Sequence, residues 1–118
     1  TGIAPFRSML LDDVAHGMPR PVTLLFGVRY ETSLMYRKEF EAAAAQYPQF
    51  RFWPTLSRPE PGWTGRTGHV QKHLPEAIGD RRDLDVFVCG MKAMVDDVRQ
   101  MLKDWGFDRK QIVYEKYD

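Results

Sequence analysis

The chain has one cysteine, Cys89, among 118 residues, so no disulfide can form within it. It contains no apolar run near the roughly 18 residues that a membrane-spanning helix needs. Charge of one sign is also lacking: 17 basic residues stand against 16 acidic ones, for a net charge of +1. No overall field therefore attracts nucleic acid or an anionic membrane, and any anion site must be local. Repeats, low-complexity tracts and an internal linker are absent as well. What remains is a chain that is 43% hydrophobic, expected to form one globular domain over residues 1–118. A lone thiol suits a reducing cytoplasm, the expected location. No basic-then-apolar leader opens the chain, and a start at Thr1 is expected to mark a processed or excised piece.

The hydrophobic pattern alternates in period. Pro5 occupies the place of a first helical residue, and Phe6, Met9, Leu10 and Val14 follow at helical spacing until Gly17. Residues 22–28 form an apolar run broken only by Thr23 and Gly27, as a strand buried on both faces would. Thr32 or Ser33 can cap a second helix, with a stripe of Tyr36, Phe40, Ala43, Ala44 and Tyr47 that ends before Pro48. Residues 50–55 read as a strand, 58–68 as a loop rich in proline and glycine, and 69–78 as a short helix. Residues 84–89 form a third strand. A helix with Met94, Val95, Val98, Met101, Leu102 and Trp105 on its core face follows, stopped by Gly106, and residues 111–114 form a last strand. This alternation predicts an α/β fold, a doubly wound parallel sheet with helices on both faces.

The chemistry-bearing residues gather at the expected carboxyl ends of these strands, where open parallel sheets bind ligands. At the front, Thr1-Gly2-Ile3-Ala4-Pro5 places backbone amides at a helix N-terminus, which favours an anion such as a pyrophosphate; an ordinary turn capped by Thr1 fits equally well. Phe26-Gly27-Val28-Arg29 ends one strand, Leu56-Ser57-Arg58 follows the next, and Val88-Cys89-Gly90-Met91 ends the third. Between them lies Trp63-Thr64-Gly65-Arg66-Thr67-Gly68-His69. A guanidinium fork matches a phosphate bidentately, so three arginines after successive strands favour an anionic ligand over solvated loop charges.

In their order and spacing these motifs resemble the ferredoxin-NADP reductase superfamily, whose nucleotide domain carries a Gly-Gly-Thr-Gly-x-x-Pro loop, a Gly-x-Arg and a strand-ending Cys-Gly. The resemblance extends over essentially the whole chain, apart from the two upstream glycines. It implies a five-stranded sheet of order 3-2-1-4-5 that binds NAD(P)H, with FAD or FMN held by a neighbouring β-barrel domain that this sequence does not contain. Residue by residue, it implies a pyrophosphate turn at Thr1, Gly2 and Pro5. It further implies adenosine-side contacts from Arg29, Ser57, Arg58 and Arg66, and nicotinamide-side contacts from Gly90 and Met91. Cys89 would lie beside the reacting ring, and Glu115 and Tyr117 against the flavin; a frayed polar tail is the other reading of those two. Thr67 and His69 stand where NADPH-preferring relatives often carry Lys and Tyr, so the choice between NADH and NADPH stays open with a lean to NADPH. Implied partners are the flavin domain of the same parent chain and an electron-acceptor protein, either ferredoxin-like or an oxygenase. A non-catalytic nucleotide-binding or regulatory module is the alternative.

The same resemblance implies that the first, central strand is missing ahead of Thr1, so residues 22–28 and 84–89 are expected to face each other across a strand-wide gap. His69 and His73 lie four apart, but without an intervening Glu in a His-Glu-x-x-His pattern no metal site is expected.

Overall fold

A buried strand must pair its backbone on both sides and cover both faces, and the described residues meet both demands with one sheet and four α-helices. The computed structural model describes residues 3–17 and 20–117. Its elements are α1 (Ile3–Ala15), β1 (Val22–Val28), α2 (Arg37–Gln46), β2 (Phe50–Leu56), β3 (Arg66–Thr67), α3 (Val70–Ile78), β4 (Asp85–Met91), α4 (Lys92–Asp104) and β5 (Ile112–Tyr117). All strand pairings are parallel, in the order β3-β2-β1-β4-β5.

The order is therefore 3-2-1-4-5 as expected, but its central place is filled differently. Val22–Val28 is itself the central strand and pairs directly with β4, from Val22 opposite Asp85 to Phe26 opposite Cys89. The expected gap does not exist. Two facing rows of unpaired backbone groups would cost about 1–3 kcal/mol for each buried group, and closing the strands on one another removes that cost. The fifth strand comes from Arg66–Thr67, inside the segment expected to be loop, which pairs with Thr55 and Leu56.

Alternation along β1 sends Leu24, Phe26 and Val28 to one face and Leu25 to the other. The first face packs under Leu10 and Val14 of α1 and Phe40 and Ala43 of α2. The second packs under Leu74 of α3 and Val95, Val98 and Leu102 of α4. The stripe expected for α1 is turned at one point: Met9 is exposed, and Leu11 packs against the core instead. The expected caps Thr32 and Ser33 lie in a short 3-10 turn, Glu31–Ser33. α2 starts only at Arg37, after Tyr36 takes a left-handed conformation with φ 60°.

Pro54 sits inside β2 without breaking it. Gln49 and Ser57 bond to β1, through Val22 N–H and Val28 O, whereas Leu56 O accepts from Gly68 N–H on the other side. Even-numbered residues of β2 therefore face away from β1, and the pairing with β3 begins only at residues 55 and 56, so no strand lies opposite the nitrogen of Pro54. The donor that proline lacks is not needed there.

At the opposite end of the sheet from the functional residues, the half-buried Arg51 spans two elements. Its Nη2 donates to Thr23 Oγ1 at 2.9 Å and to Ala77 O at 2.5 Å. Burial pulls its pKa below the ordinary guanidinium value, helped by nearby Arg81 and opposed by Asp83. Thr23 is fully buried, so Thr23→Val, which keeps the shape but removes the acceptor, is expected to cost about 1–3 kcal/mol in urea unfolding. Unchanged stability would mean that the Arg51 contact contributes nothing.

Candidate functional site

Because every strand runs the same way, the carboxyl ends of β1, β2 and β4 share one edge, and the chain reverses its direction of winding at β1. A crevice forms at such a switch point. Here it is a groove of about 440 Å³, whose lining includes Arg29 after β1, Ser57 after β2 and Met91 at the end of β4. Ser57 N–H donates to Val28 O and Arg58 N–H to Arg29 O, both at 2.9 Å. These two bonds lace the ends of β1 and β2 together, so the exposed Arg29 and Arg58 follow adjacent strand ends at the rim.

The floor is shaped by two missing side chains. A Cβ on Gly90 would lie 2.1 Å from Met94 Cε and 3.0 Å from Gly27 O, and one on Gly27 would lie 2.9 Å from the same Met94 methyl. Met94 therefore fills the space that these two glycines leave between β1 and β4. Gly68, with φ +91°, makes the turn from β3 into α3, and its carbonyl accepts from Thr55 Oγ1 at 3.1 Å.

Two helices begin on the groove. The residues that precede α3 and α4, His69 and Met91, make no side-chain cap hydrogen bond, and the first turn of each helix lines the groove. Orphan backbone N–H groups at such ends favour anionic or acceptor groups. Gln71 of α3 donates through Nε2 to Asp97 Oδ2 of α4 at 3.3 Å, while its buried Oε1 has no hydrogen-bond partner among the described residues. The groove thus holds a buried acceptor lacking a donor.

The motifs of the sequence single out Arg29, Ser57, His69 and Met91, all of which line the groove, but not Gln71 or Asp97. The readable signal was a glycine directly ahead of a helix start at residues 68–70, which places the first helical turn at a strand end. Arg66 lies elsewhere, its guanidinium 3.6 Å over the Trp53 ring and 3.2 Å from Glu76. Arg58 is exposed beyond the groove lining. Gly90 is buried behind Met94, and Cys89 is fully buried within the α1–α2 core cluster. Burial, with the Glu115 carboxylate acting in the same direction, pushes the Cys89 thiol up to about 12. Glu115 pairs with Cys89 in the β4–β5 ladder, so residues 114–117 belong to a strand rather than a frayed tail. Thr1 and Gly2 lie outside the described residues; Pro5 falls in the first turns of α1, and Tyr117 ends β5. His73 bonds to Thr67 O at 2.7 Å, and among the described residues no group of three or more His, Cys, Asp or Glu could hold a metal ion. No helix among them is long and apolar enough to cross a membrane.

Comparison with known proteins agrees with this geometry. Residues 1–100 match the oxidoreductase NAD-binding domain family. The chain is 40% identical over 126 residues to ferredoxin–NADP reductase B of Sorangium cellulosum, covering all of this chain and 51% of that protein. It is 28% identical to the electron transfer component of toluate 1,2-dioxygenase of Pseudomonas putida, over 99% of this chain and 34% of that one. Among solved structures, the cytochrome P450 reductase GcoB of Amycolatopsis superposes with a TM-score of 0.77 at 29% identity, over 98% of this chain and 34% of its own. The chain thus spans about half or less of the length of these relatives. With a doubly wound parallel sheet, a groove at its switch point and matches along its whole length, the chain belongs to the oxidoreductase NAD-binding domain family, within the ferredoxin-NADP reductase superfamily.

Proposed function

We propose that the groove at the carboxyl ends of β1, β2 and β4 binds NAD(P)H and presents its nicotinamide to a flavin held by a neighbouring barrel domain of the same parent chain. The observation that carries this reading is the convergence of Arg29, Ser57 and two uncapped helix starts on one groove. The chemistry such cofactors supply is hydride transfer from nicotinamide to FAD or FMN and onward electron transfer to an iron–sulfur or haem acceptor. This chain's residues bind and orient. Arg29 and Arg58 hold the adenosine-side phosphate with Ser57 as a further donor, and Thr1, Gly2 and Pro5 form the pyrophosphate turn. Gln71 Oε1 accepts an N–H or O–H from the nucleotide, which supplies its missing partner.

Arg66 is held by an ion pair at the surface, of a kind worth at most about 1 kcal/mol, and can be recruited to the same phosphate. Gly90 and Met91 border the nicotinamide. Cys89 acts beneath them as an uncharged thiol that fixes the strand end, while Glu115 and Tyr117 lie at the flavin side on the adjoining strand. The parent protein is thus an NAD(P)H-dependent flavin oxidoreductase. It serves a ferredoxin-like or oxygenase acceptor in the cytoplasm, and this chain alone does not turn over. The ferredoxin–NADP reductase, dioxygenase electron-transfer and cytochrome P450 reductase relatives support the acceptor class, and the single cysteine supports the compartment.

Isothermal titration tests the nucleotide assignment. Arg58→Ala is expected to weaken NADPH binding by about 1.5–3 kcal/mol and to leave NADH nearly unchanged, because only NADPH carries the 2′-phosphate. Equal losses for both nucleotides, or no loss, would remove Arg58 from the site.

A further inference from the structure

A carboxylate is out of place in a groove that takes an anionic dinucleotide, and Asp97 supplies one. Among the described residues that line the groove, apart from His69, only Arg29 and Asp97 are ionisable, and their charges are opposite. No cation among the described residues pairs with Asp97. The cations at hand go to its neighbour: Asp96 takes Lys116 at 2.7 Å, Lys92 at 3.4 Å and Arg99 at 3.7 Å. Asp97 is exposed and lies beyond the first turn of α4, where the helix dipole that favours an acid has faded. Neither core packing nor the helix end accounts for it. What it does hold is the side-chain amide of Gln71, at 3.3 Å.

A glutamine amide has two ends of nearly the same shape and opposite hydrogen-bonding sense, an oxygen that accepts and an NH2 that donates. Turned one way, the NH2 donates to the Asp97 carboxylate, and a bond to a charged acceptor is stronger than one between neutral groups. Turned the other way, the oxygen would face that carboxylate, two acceptors with no proton between them. Asp97 therefore selects the first orientation and commits Gln71 Oε1 to the opposite side, where it is buried without a partner among the described residues. An acceptor held in this way is unfavourable until a ligand brings a donor. The two residues come from different helices, α3 and α4, so their bond also ties together the two helix starts that border the groove.

We propose that Asp97 is a positioning residue, which acts through Gln71 rather than on the dinucleotide and makes the groove offer an acceptor instead of a donor at this point. The inference rests on the dinucleotide reading above and adds which residue sets the sense of that contact. A pyrophosphate carries acceptors only, so the committed Gln71 oxygen refuses a phosphate oxygen and takes a hydroxyl or N–H of the same ligand. The pair thereby helps to fix the register in which the dinucleotide lies.

The sign of one substitution separates this role from simple electrostatics. Asp97→Asn removes a negative charge from an anion-binding groove, so charge alone would tighten binding. Asparagine presents either an oxygen or an NH2 to Gln71, which leaves the amide uncommitted. Positioning therefore predicts weaker binding, by about three- to tenfold, the loss of one hydrogen bond. The measurement is calorimetric titration of the oxidised, flavin-loaded reductase that carries this chain, with NADP+ and with NAD+. Gln71→Met, which keeps the length of the side chain and removes the amide, should weaken binding by a similar factor. In that background Asp97→Asn should cause no further loss, whereas a loss that came from damage to α4 would persist. Unchanged or tighter binding in Asp97→Asn, or an equal loss in both backgrounds, would overturn the proposal. A wild type that binds neither nucleotide would refute the dinucleotide reading itself, and the proposal with it.

Discussion

Phe26→Ala is expected to cost about 3–5 kcal/mol, a large share of the roughly 5–15 kcal/mol that holds a domain of this size together. Phe26 is 1% exposed and sits near the carboxyl end of the central strand, opposite Pro54 on one side and Cys89 on the other. Its ring belongs to the cluster that joins β1 to α1 and α2. Truncation leaves a cavity in a region where both neighbours are fixed by sheet pairing and cannot collapse inward, so the upper part of the range applies. In urea unfolding the midpoint should fall sharply with little change in slope. Met9→Ala offers the contrast: that side chain is 43% exposed, and the change should stay within about 0.5 kcal/mol. Equal losses at the two positions would mean that the α1 face has been assigned the wrong way round.

A second large effect is expected in alkali. The Cys89 thiol, pushed from an ordinary 9.0 up to about 12 by burial and by the Glu115 charge, must stay protonated while the protein is folded. In the unfolded chain it ionises near its ordinary value. A group whose folded pKa is raised in this way contributes stability that is fully present below about pH 9 and is lost as pH rises towards 12, at about 1.4 kcal/mol per pH unit and roughly 4 kcal/mol in total. Wild-type protein and Cys89→Ala, unfolded in urea at several pH values from 9 upwards, should therefore diverge in slope, the wild type falling faster. The comparison of slopes cancels the lysines and tyrosines that titrate in the same range, and the cavity left by the substitution shifts the absolute stability only. Parallel profiles would mean that the thiol ionises as readily inside the fold as outside it.

Much of the architecture was legible because hydrophobic period is a local property. The runs at 22–28 and 84–89 and the stripe of Phe40, Ala43, Ala44 and Tyr47 each declare their element without reference to the rest of the chain. What could not be read depends on partners far apart in sequence. That Val22–Val28 pairs directly with β4 follows from the cost of leaving backbone unpaired, a property of the assembled sheet. The two-residue β3 has no period at all; it exists because Leu56 O offers a bond that Gly68 N–H can take. The same division runs through the site. Strand-end motifs pointed to Arg29, Ser57 and Met91, all of which line the groove. Arg66 followed the same pattern, yet an aromatic face on β2 and a carboxylate on α3 engage it instead, and neither is adjacent in sequence. Gln71 and Asp97 gave no separate signal, since their significance lies in meeting across two helices.

The proline in β2 has a consequence for how copies of this protein meet. Along the outer edge of residues 50–54 the outward-facing backbone donors would come from Phe50, Phe52 and Pro54. Phe50 N–H already donates to Tyr47 O, and proline has none, which leaves Phe52 N–H alone among the described residues. An incoming strand needs a regular series of donors and acceptors to add to a sheet, and a single donor cannot start one. That stretch of β2 is thus guarded against edge-to-edge aggregation by its own sequence.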